Sequence, residues 1–127
     1  MFVRDAMSEI VLTLGPAHTL REAATRMSSR NVGAALVDDP DAPGPGILTE
    51  RDVLHALAAG ADPDVETVGE HLTREAVVAD PSWSLDDAAS AMLVGGFRHL
   101  VVMDDGRTVG IISVRDILRA RLQVPTA

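Results

Sequence analysis

Two short segments of the sequence place a hydroxyl group three residues before a carboxylate, a combination that can bind a polar ligand. Thr49 precedes Asp52, and Ser113 precedes Asp116. An apolar run at helical spacing follows each pair, which predicts that both pairs lie at the start of a helix. There the hydroxyl can donate to phosphate or ribose, backbone N–H groups can bind an anion, and the carboxylate can accept from ribose hydroxyls. These groups together are ones that a nucleotide could use.

The same spacing is also that of an ordinary helix N-cap. In a cap the hydroxyl accepts a hydrogen bond from the first-turn backbone, and the acid interacts favourably with the helix dipole. Capping alone does not require the arginine before each aspartate, Arg51 and Arg115, or the aliphatic residues before each hydroxyl. The two roles are compatible, and both stay open at this point.

Both segments belong to an internal repeat. Gly46 to Asp52 and Gly110 to Asp116 share the order glycine, two aliphatic residues, hydroxyl, any residue, arginine and aspartate, 64 positions apart. A repeat of this extent predicts two similar motifs, residues 1–62 and 63–127. Further segments match at an offset of 65: Leu20 to Met27 with Leu85 to Met92, and Met7-Ser8 with Leu72-Thr73.

Each half is predicted to have the order β-α-β-β-α, which gives an α+β fold with helices packed on small sheets. Thr19 and Glu22 predict a capping box before the first helix, and the continuously apolar Val32 to Val37 predicts a central strand. Halves of about sixty residues are marginal alone, so one shared core is expected. The other predicted elements are strands at 10–12, 46–48, 76–78, 100–102 and 109–112 and helices at 51–59, 84–93 and 115–122.

The composition excludes several classes of function. The 127-residue chain has a net charge of −8, no cysteine and three aromatic residues, Phe2, Trp83 and Phe97. Nucleic acid is not an expected partner, because phosphate backbones need a basic surface and base stacking needs more aromatic rings. Cysteine chemistry is excluded, and no stretch approaches the about 20 apolar residues that span a bilayer. These features favour a cytoplasmic protein without a membrane segment.

Three segments resemble the cystathionine β-synthase (CBS) domain, a regulatory module that occurs in tandem pairs. They are residues 46–52, 97–104 and 110–116, and the resemblance extends from about Val3 to about Leu122. It implies two CBS motifs related by a pseudo-twofold axis, with clefts between them that often bind adenine nucleotides. It also implies that the pair dimerises further.

The resemblance distributes the candidate ligand-binding residues over two clefts. The first joins an apolar wall for adenine to cationic and hydroxyl–carboxylate groups: Ile10, Leu12, Val32, Gly33, Arg98, His99, Ser113 and Asp116. The second joins Thr49 and Asp52 to Thr73, Val77 and Phe97. Because Gly33 and Ala34 take the places of Arg98 and His99 there, the second cleft is expected to bind a polyphosphate more weakly.

The sequence therefore predicts a non-enzymatic regulatory module, expected to be a homodimer, that senses an adenosine-containing ligand for an effector protein. AMP, ADP, ATP, S-adenosylmethionine and NAD are all open. No cofactor is required, and His18, His55 and His71 show no metal-ligand spacing with each other or with carboxylates. One alternative is a structural module whose clefts stay empty. A second is a nucleotide-hydrolysing enzyme, although no nucleophile–base pair or P-loop is present.

Overall fold

The computed structural model describes residues 1–9 and 12–122 of the chain. None of the helices in this part of the chain is long and apolar enough to cross a lipid bilayer. The helices are α1 (Val3–Ala6), α2 (Leu20–Arg30), α3 (Glu50–Ala58), α4 (Val68–His71), α5 (Leu85–Gly95) and α6 (Val114–Arg121). The strands are β1 (Ser8–Glu9), β2 (Thr13–Leu14), β3 (Ala34–Val37), β4 (Gly46–Thr49), β5 (Val78–Ala79), β6 (His99–Asp104) and β7 (Arg107–Ser113).

The described residues divide into two compact units that do not coincide with the two halves of the sequence. Unit 1 contains residues 1–9 and 77–122, and unit 2 contains residues 12–76. Each unit therefore combines most of one sequence motif with a short segment from the other. Unit 1 includes α1 and β1 from the start of the chain, whereas unit 2 includes α4. The repeat boundary after residue 62 stays a prediction.

Unit 1 is built on a four-stranded sheet in the order β1-β7-β6-β5. A two-residue turn joins the antiparallel β6 and β7, and Asp105 and Gly106 both have positive φ in it, 52° and 78°. Two positive φ values are typical of the hairpin turn whose twist matches that of the strands. The buried residues of unit 1 come from this sheet and from α1, α5 and α6: Val3, Ala79, Leu85, Ala88, Met92, Leu100, Val102, Ile112 and Ile117.

Unit 2 is built on a three-stranded sheet in the order β2-β3-β4. β3 is parallel to β2 and antiparallel to β4, and all four of its residues are buried. This confirms the prediction of a central strand in the first half. The buried residues of unit 2 form a second cluster: Leu14, Leu20, Ala23, Met27, Ala35, Val37, Leu48, Ala56 and Val68.

The predicted capping box at the start of α2 is present. The Thr19 hydroxyl oxygen accepts from the backbone N–H of Glu22 at 3.1 Å, and the Glu22 carboxylate accepts from the backbone N–H of Thr19 at 3.0 Å. The backbone hydrogen bond from Thr19 lowers the pKa of the Glu22 carboxyl below its ordinary value. At the other end, Asn31 closes the helix in the left-handed conformation with φ 54°, which asparagine adopts more readily than most residues.

The α+β class and the two repeated motifs are confirmed, and two details are corrected. The single core that was expected is resolved into two clusters of buried residues, one in each unit. The strand predicted at 10–12 stays a prediction, because residues 10 and 11 lie outside the described residues; Leu12 itself is not in a strand. The segments at 3–6 and 68–71, which no pattern predicted as helical, each form one helical turn.

Candidate functional site

The N-terminus of α6 carries a reciprocal pair of hydrogen bonds. Ser113 is the N-cap residue, and its hydroxyl oxygen accepts from the backbone N–H of Asp116 at 3.0 Å. The Asp116 carboxylate accepts in return from the backbone N–H of Ser113 at 2.8 Å. β7 ends at Ser113 with extended backbone, and the helix begins at the next residue, so the turn itself places both groups. The capping role foreseen for this pair is confirmed.

Asp116 is buried within unit 1, with 7% of its surface exposed. The hydroxyl of Ser8 donates to its Oδ1 at 3.4 Å, and the Arg119 guanidinium lies 3.7 Å from the same oxygen. Ser8 reaches this position because β1 pairs with β7 in the register Ser8 to Ile111. Two carboxylate oxygens offer about four acceptor positions, so Asp116 can still accept from a ligand.

The N-terminus of α3 repeats this arrangement in unit 2. The Thr49 hydroxyl oxygen accepts from the backbone N–H of Asp52 at 3.1 Å, and Asp52 accepts from the backbone N–H of Thr49 at 2.9 Å. The hydroxyl of Thr73 lies 3.2 Å and 3.1 Å from the two carboxylate oxygens of Asp52. Thr73 is held there by two backbone hydrogen bonds with Ile47, of 3.0 Å and 2.8 Å.

Cationic side chains adjoin the start of α6. The backbone N–H of Val114 donates to the carbonyl of Arg98 at 3.0 Å, and His99 is the partner of Ser113 in the β6–β7 ladder. Arg98 is exposed and His99 is partly buried. Unit 1 therefore brings together, around one helix N-terminus, all four residues that the sequence analysis assigned to its side of the first cleft: Arg98, His99, Ser113 and Asp116.

The start of α3 has the opposite charge. The backbone N–H of Glu50 donates to the carbonyl of Gly33 at 2.9 Å, the contact that Val114 and Arg98 make in unit 1. The Glu50 carboxylate fills the space beside Gly33, because a Cβ atom on that glycine would lie 3.1 Å from Oε1 of Glu50. A carboxylate at this point opposes the binding of a phosphate to the first turn of α3.

The remaining predicted residues are distributed over both units. Leu12 and Val32 are partly buried and pack against the buried cluster of unit 2. Ile10 lies outside the described residues. Phe97, which was considered as a base-stacking ring, is partly buried against the cluster of unit 1, and its ring lies over Gly95.

Sequence reasoning missed two features of this region. Ser8 was aligned with Thr73 in the repeat but was not included among the candidate residues, although the shared position signals the same contact. The statement that His71 has no carboxylates at metal-ligand spacing is corrected, because donor atoms of Glu66, Glu70 and His71 lie within 4.8 Å of one another. The one-turn helix α4, which creates that spacing, is too short to give a periodic pattern.

Comparison with known proteins places the chain in a family. The CBS domain family matches the sequence twice, over residues 3–59 and 68–123. Protein MJ1225 of Methanocaldococcus jannaschii is 37% identical over 117 residues, which are 92% of this chain and 41% of MJ1225. The chain thus spans less than half the length of that relative.

Two solved structures have the same fold. The CBS-domain containing protein ATU1752 from Agrobacterium tumefaciens is 34% identical with a TM-score of 0.87, covering 95% of this chain and 99% of that chain. The CBS domain pair of protein MJ0100, in complex with 5′-methylthioadenosine and S-adenosyl-L-methionine, is 28% identical with a TM-score of 0.79, covering 98% of each chain. The chain therefore belongs to the CBS domain family and contains two CBS domains.

Proposed function

We propose that this CBS pair is a regulatory module that binds an adenosine-containing ligand and relays its occupancy to an effector protein. The observation that carries the proposal is the set of groups at the start of α6, where Arg98, His99, Ser113 and Asp116 adjoin one another. The related pair of MJ0100 binds two adenosine compounds. These groups match the ribose of an adenosine compound and any charged group on its 5′ carbon.

The polar half of the ligand would lie at α6. The Ser113 oxygen accepts the capping hydrogen bond, so its O–H proton is available to donate to phosphate or ribose. Arg98 supplies a guanidinium group suited to phosphate or carboxylate. Asp116 accepts from ribose hydroxyls, and its orientation is already fixed by Ser113 and Ser8, which reduces the entropy lost on binding.

The adenine would lie against the partly buried Leu12 and Val32, beside Gly33 and, by prediction, Ile10. The Glu50 carboxylate next to Gly33 can accept a hydrogen bond from the 6-amino group of adenine. Hypoxanthine has a carbonyl oxygen at that position, which would face the carboxylate unfavourably. The effector would recognise the ligand-bound form of the module in preference to the ligand-free form.

The second predicted cleft, at Thr49 and Asp52, would bind an anionic ligand more weakly. Glu50 occupies the first helical position there and brings a negative charge to the place where Arg98 lies in unit 1. We propose that AMP and ATP both prefer the cleft that contains Asp116.

Calorimetry and thermal melts with AMP, ATP, S-adenosylmethionine and IMP test the proposal. A ligand at 100 times its Kd should stabilise the protein by about 2.7 kcal/mol, and IMP should bind more weakly than AMP. If none of the adenosine compounds produces heat or a shift in Tm, the module does not sense adenosine. Equal binding of IMP and AMP would remove only the role given to Glu50.

Matched substitutions then locate the site. Asp116→Asn and Asp52→Asn both retain an oxygen acceptor for the capping N–H group, which limits their effect on folding. We expect Asp116→Asn to weaken binding by about tenfold or more, since a charge-assisted hydrogen bond contributes about 1.5–3 kcal/mol, while Asp52→Asn binds as the wild type does. If Asp52→Asn instead weakened binding more than Asp116→Asn, the ligand would be assigned to the second cleft.

A structural module without a ligand is the second candidate, and one observation favours it. In residues 1–9 and 12–122, every buried side-chain polar atom has a hydrogen-bond partner without any ligand.

Leu54 and Leu118, which occupy matching positions on α3 and α6, are 64% and 55% exposed. In either case we propose that these leucines form a homodimer contact. Sedimentation of Leu118→Lys should give a monomer where the wild type gives a dimer.

A further inference from the structure

A cluster of potential metal ligands lies in unit 2, on the segment that leads into and through α4. It contains the imidazole of His71 and the carboxylates of Glu66 and Glu70, with donor atoms all within 4.8 Å of one another. Nε2 of His71 lies 2.6 Å from Oε1 of Glu66. These residues do not belong to either predicted adenosine cleft.

The backbone that carries the cluster is fixed on several sides. Val68 is fully buried, and its N–H donates to the carbonyl of His18 at 2.8 Å. The next N–H, that of Gly69, donates to the carbonyl of Pro16 at 2.8 Å, and the Arg74 guanidinium donates to the carbonyl of Gly69 at 2.9 Å. A ligand that binds the three side chains therefore has little backbone entropy to remove.

The two carboxylates are also oriented by hydrogen bonds through their other contacts. The backbone N–H of Asp62 donates to Oε2 of Glu66 at 3.2 Å, and the hydroxyl of Thr67 donates to Oε1 of Glu70 at 3.3 Å. Outer hydrogen bonds of this kind hold carboxylate ligands in place around protein-bound metals. These hydrogen bonds restrict both carboxylates before any metal binds.

Comparison with the repeat shows that the fold does not need this cluster. The positions that match Glu66, Glu70 and His71 in the first sequence motif are Met1, Asp5 and Ala6. Asp5 and Ala6 belong to the equivalent turn α1, which forms without an imidazole. The imidazole of His71 and the carboxylate of Glu66 therefore have no counterpart in the first motif, and the helical turn does not require them.

We propose that Glu66, Glu70 and His71 bind one divalent first-row transition-metal ion, with zinc as the test ion and water completing the coordination. Zinc bonds of about 2.0–2.2 Å place neighbouring ligand atoms about 3 to 3.5 Å apart, so Glu66 and His71 must separate by less than about 1 Å from their present contact. Two carboxylates balance the charge of the ion. The imidazole nitrogen favours zinc over magnesium or calcium, which prefer oxygen ligands.

The test is calorimetric titration of the full-length, untagged, metal-free protein with zinc chloride, with magnesium chloride as the parallel titrant. We expect one zinc ion per chain and no comparable heat from magnesium. His71→Gln and Glu66→Gln should each weaken zinc binding by about tenfold or more. His55→Gln is the matched control, because His55 is an exposed histidine on α3 in the same unit and should leave the titration unchanged.

The exposed Glu70→Gln provides a second variant if the others fold poorly, as judged by circular dichroism without metal. It should lower the zinc affinity and leave the metal-free melting curve unchanged. Absence of a one-to-one zinc site in the wild type would overturn the proposal. So would equal binding of magnesium, or a loss in His55→Gln as large as in His71→Gln, since both outcomes would indicate adventitious binding to surface groups.

Discussion

The two units position the aspartate of the capping box in the same way. In each, a short segment from the other half of the sequence pairs with the strand that leads into the capping box. Ser8 pairs with Ile111 before α6 in unit 1, and Thr73 pairs with Ile47 before α3 in unit 2. Each segment carries a hydroxyl that contacts the aspartate of the capping box. Features that both units share are therefore best explained by the fold, in which this contact supports the start of the helix.

The differences between the units are more informative about function. Unit 1 has Arg98 and Val114 where unit 2 has Gly33 and Glu50, so the two helix N-termini have opposite local charge. Asp116 is buried beside Arg119, whereas Asp52 is partly exposed, and the matching position on α3 is His55. The shared capping boxes are explained by folding, and the different surrounding charges are the basis for the proposed difference in ligand affinity between the two clefts.

The largest expected difference between the units concerns the glycine that begins each repeated segment. A Cβ atom on Gly110 would lie 2.4 Å from the backbone oxygen of Ser8, whereas one on Gly46 would lie 2.8 Å from the end of the Leu72 side chain. The backbone oxygen of Ser8 cannot move away without breaking the pairing of β1 with β7, whereas the methyl group of Leu72 can move by a side-chain rotation. We expect Gly110→Ala to lower the free energy of unfolding by about 3 kcal/mol and Gly46→Ala by about 1 kcal/mol, measured by urea denaturation.

Gly44→Ala is the control for these two substitutions, because nothing lies within 4 Å of a Cβ atom at that position. It should leave the urea midpoint nearly unchanged. Equal losses for Gly46→Ala and Gly110→Ala would show that the edge segments of the two units are held equally tightly. The comparison drawn from their contacts would then be wrong.

The hydroxyl contacts give a smaller effect. Thr73 contacts both oxygens of Asp52, while Ser8 contacts one oxygen of Asp116 at 3.4 Å, near the limit for a hydrogen bond. We expect Thr73→Val to lower the free energy of unfolding by about 1 kcal/mol and Ser8→Ala to lower it by about 0.5 kcal/mol, again measured by urea denaturation.

Repeating Thr73→Val in an Asp52→Ala background forms a double-mutant cycle that isolates the contact from other effects of the substitution. The loss in the free energy of unfolding for the double variant should be smaller than the sum of the two single losses. A larger loss for Ser8→Ala than for Thr73→Val would mean that the burial of Asp116 outweighs the poorer geometry of its hydroxyl contact.

The sequence predicted the local features of this fold well. Thr19, Thr49, Ser84 and Ser113 are all N-cap residues, because a hydroxyl before an apolar helical run satisfies N–H groups that no other local group can reach. The central strand β3 was equally clear from its continuous apolar character. These features depend on residues that are close together in the chain.

Features that depend on distant residues could not be predicted in the same way. The pairing of Ser8 with a strand more than one hundred positions later has no local signal, although the match between Ser8 and Thr73 in the repeat was visible. The cluster at His71 depends on a single helical turn whose hydrogen bonds go to Pro16 and His18. One turn contains too few residues for a periodic pattern to reveal it.

The smallest effect concerns two exposed aspartates whose pKa values are lowered for different reasons. The pKa of the Asp64 carboxyl in unit 2 lies below its ordinary value because the Arg21 guanidinium donates to it and attracts it. The pKa of the Asp80 carboxyl in unit 1 is lowered chiefly by the hydroxyl of Ser82, at 2.7 Å, and then by its backbone N–H. Each depressed pKa stabilises the fold above the unfolded value of about 3.9, and this contribution is lost as the pH falls through the folded value.

Salt should separate the two cases. Raising sodium chloride from about 0.05 M to about 0.5 M screens an exposed ion pair but not a hydrogen bond between neighbouring residues, so a carboxyl-detected NMR titration should show the pKa of Asp64 rising toward its ordinary value while that of Asp80 stays in place. Arg21→Gln should raise the pKa of Asp64 without added salt and leave Asp80 unchanged. If both values rise equally with salt, the general field of this acidic chain governs them, and the distinction between an ion pair in unit 2 and a turn in unit 1 fails.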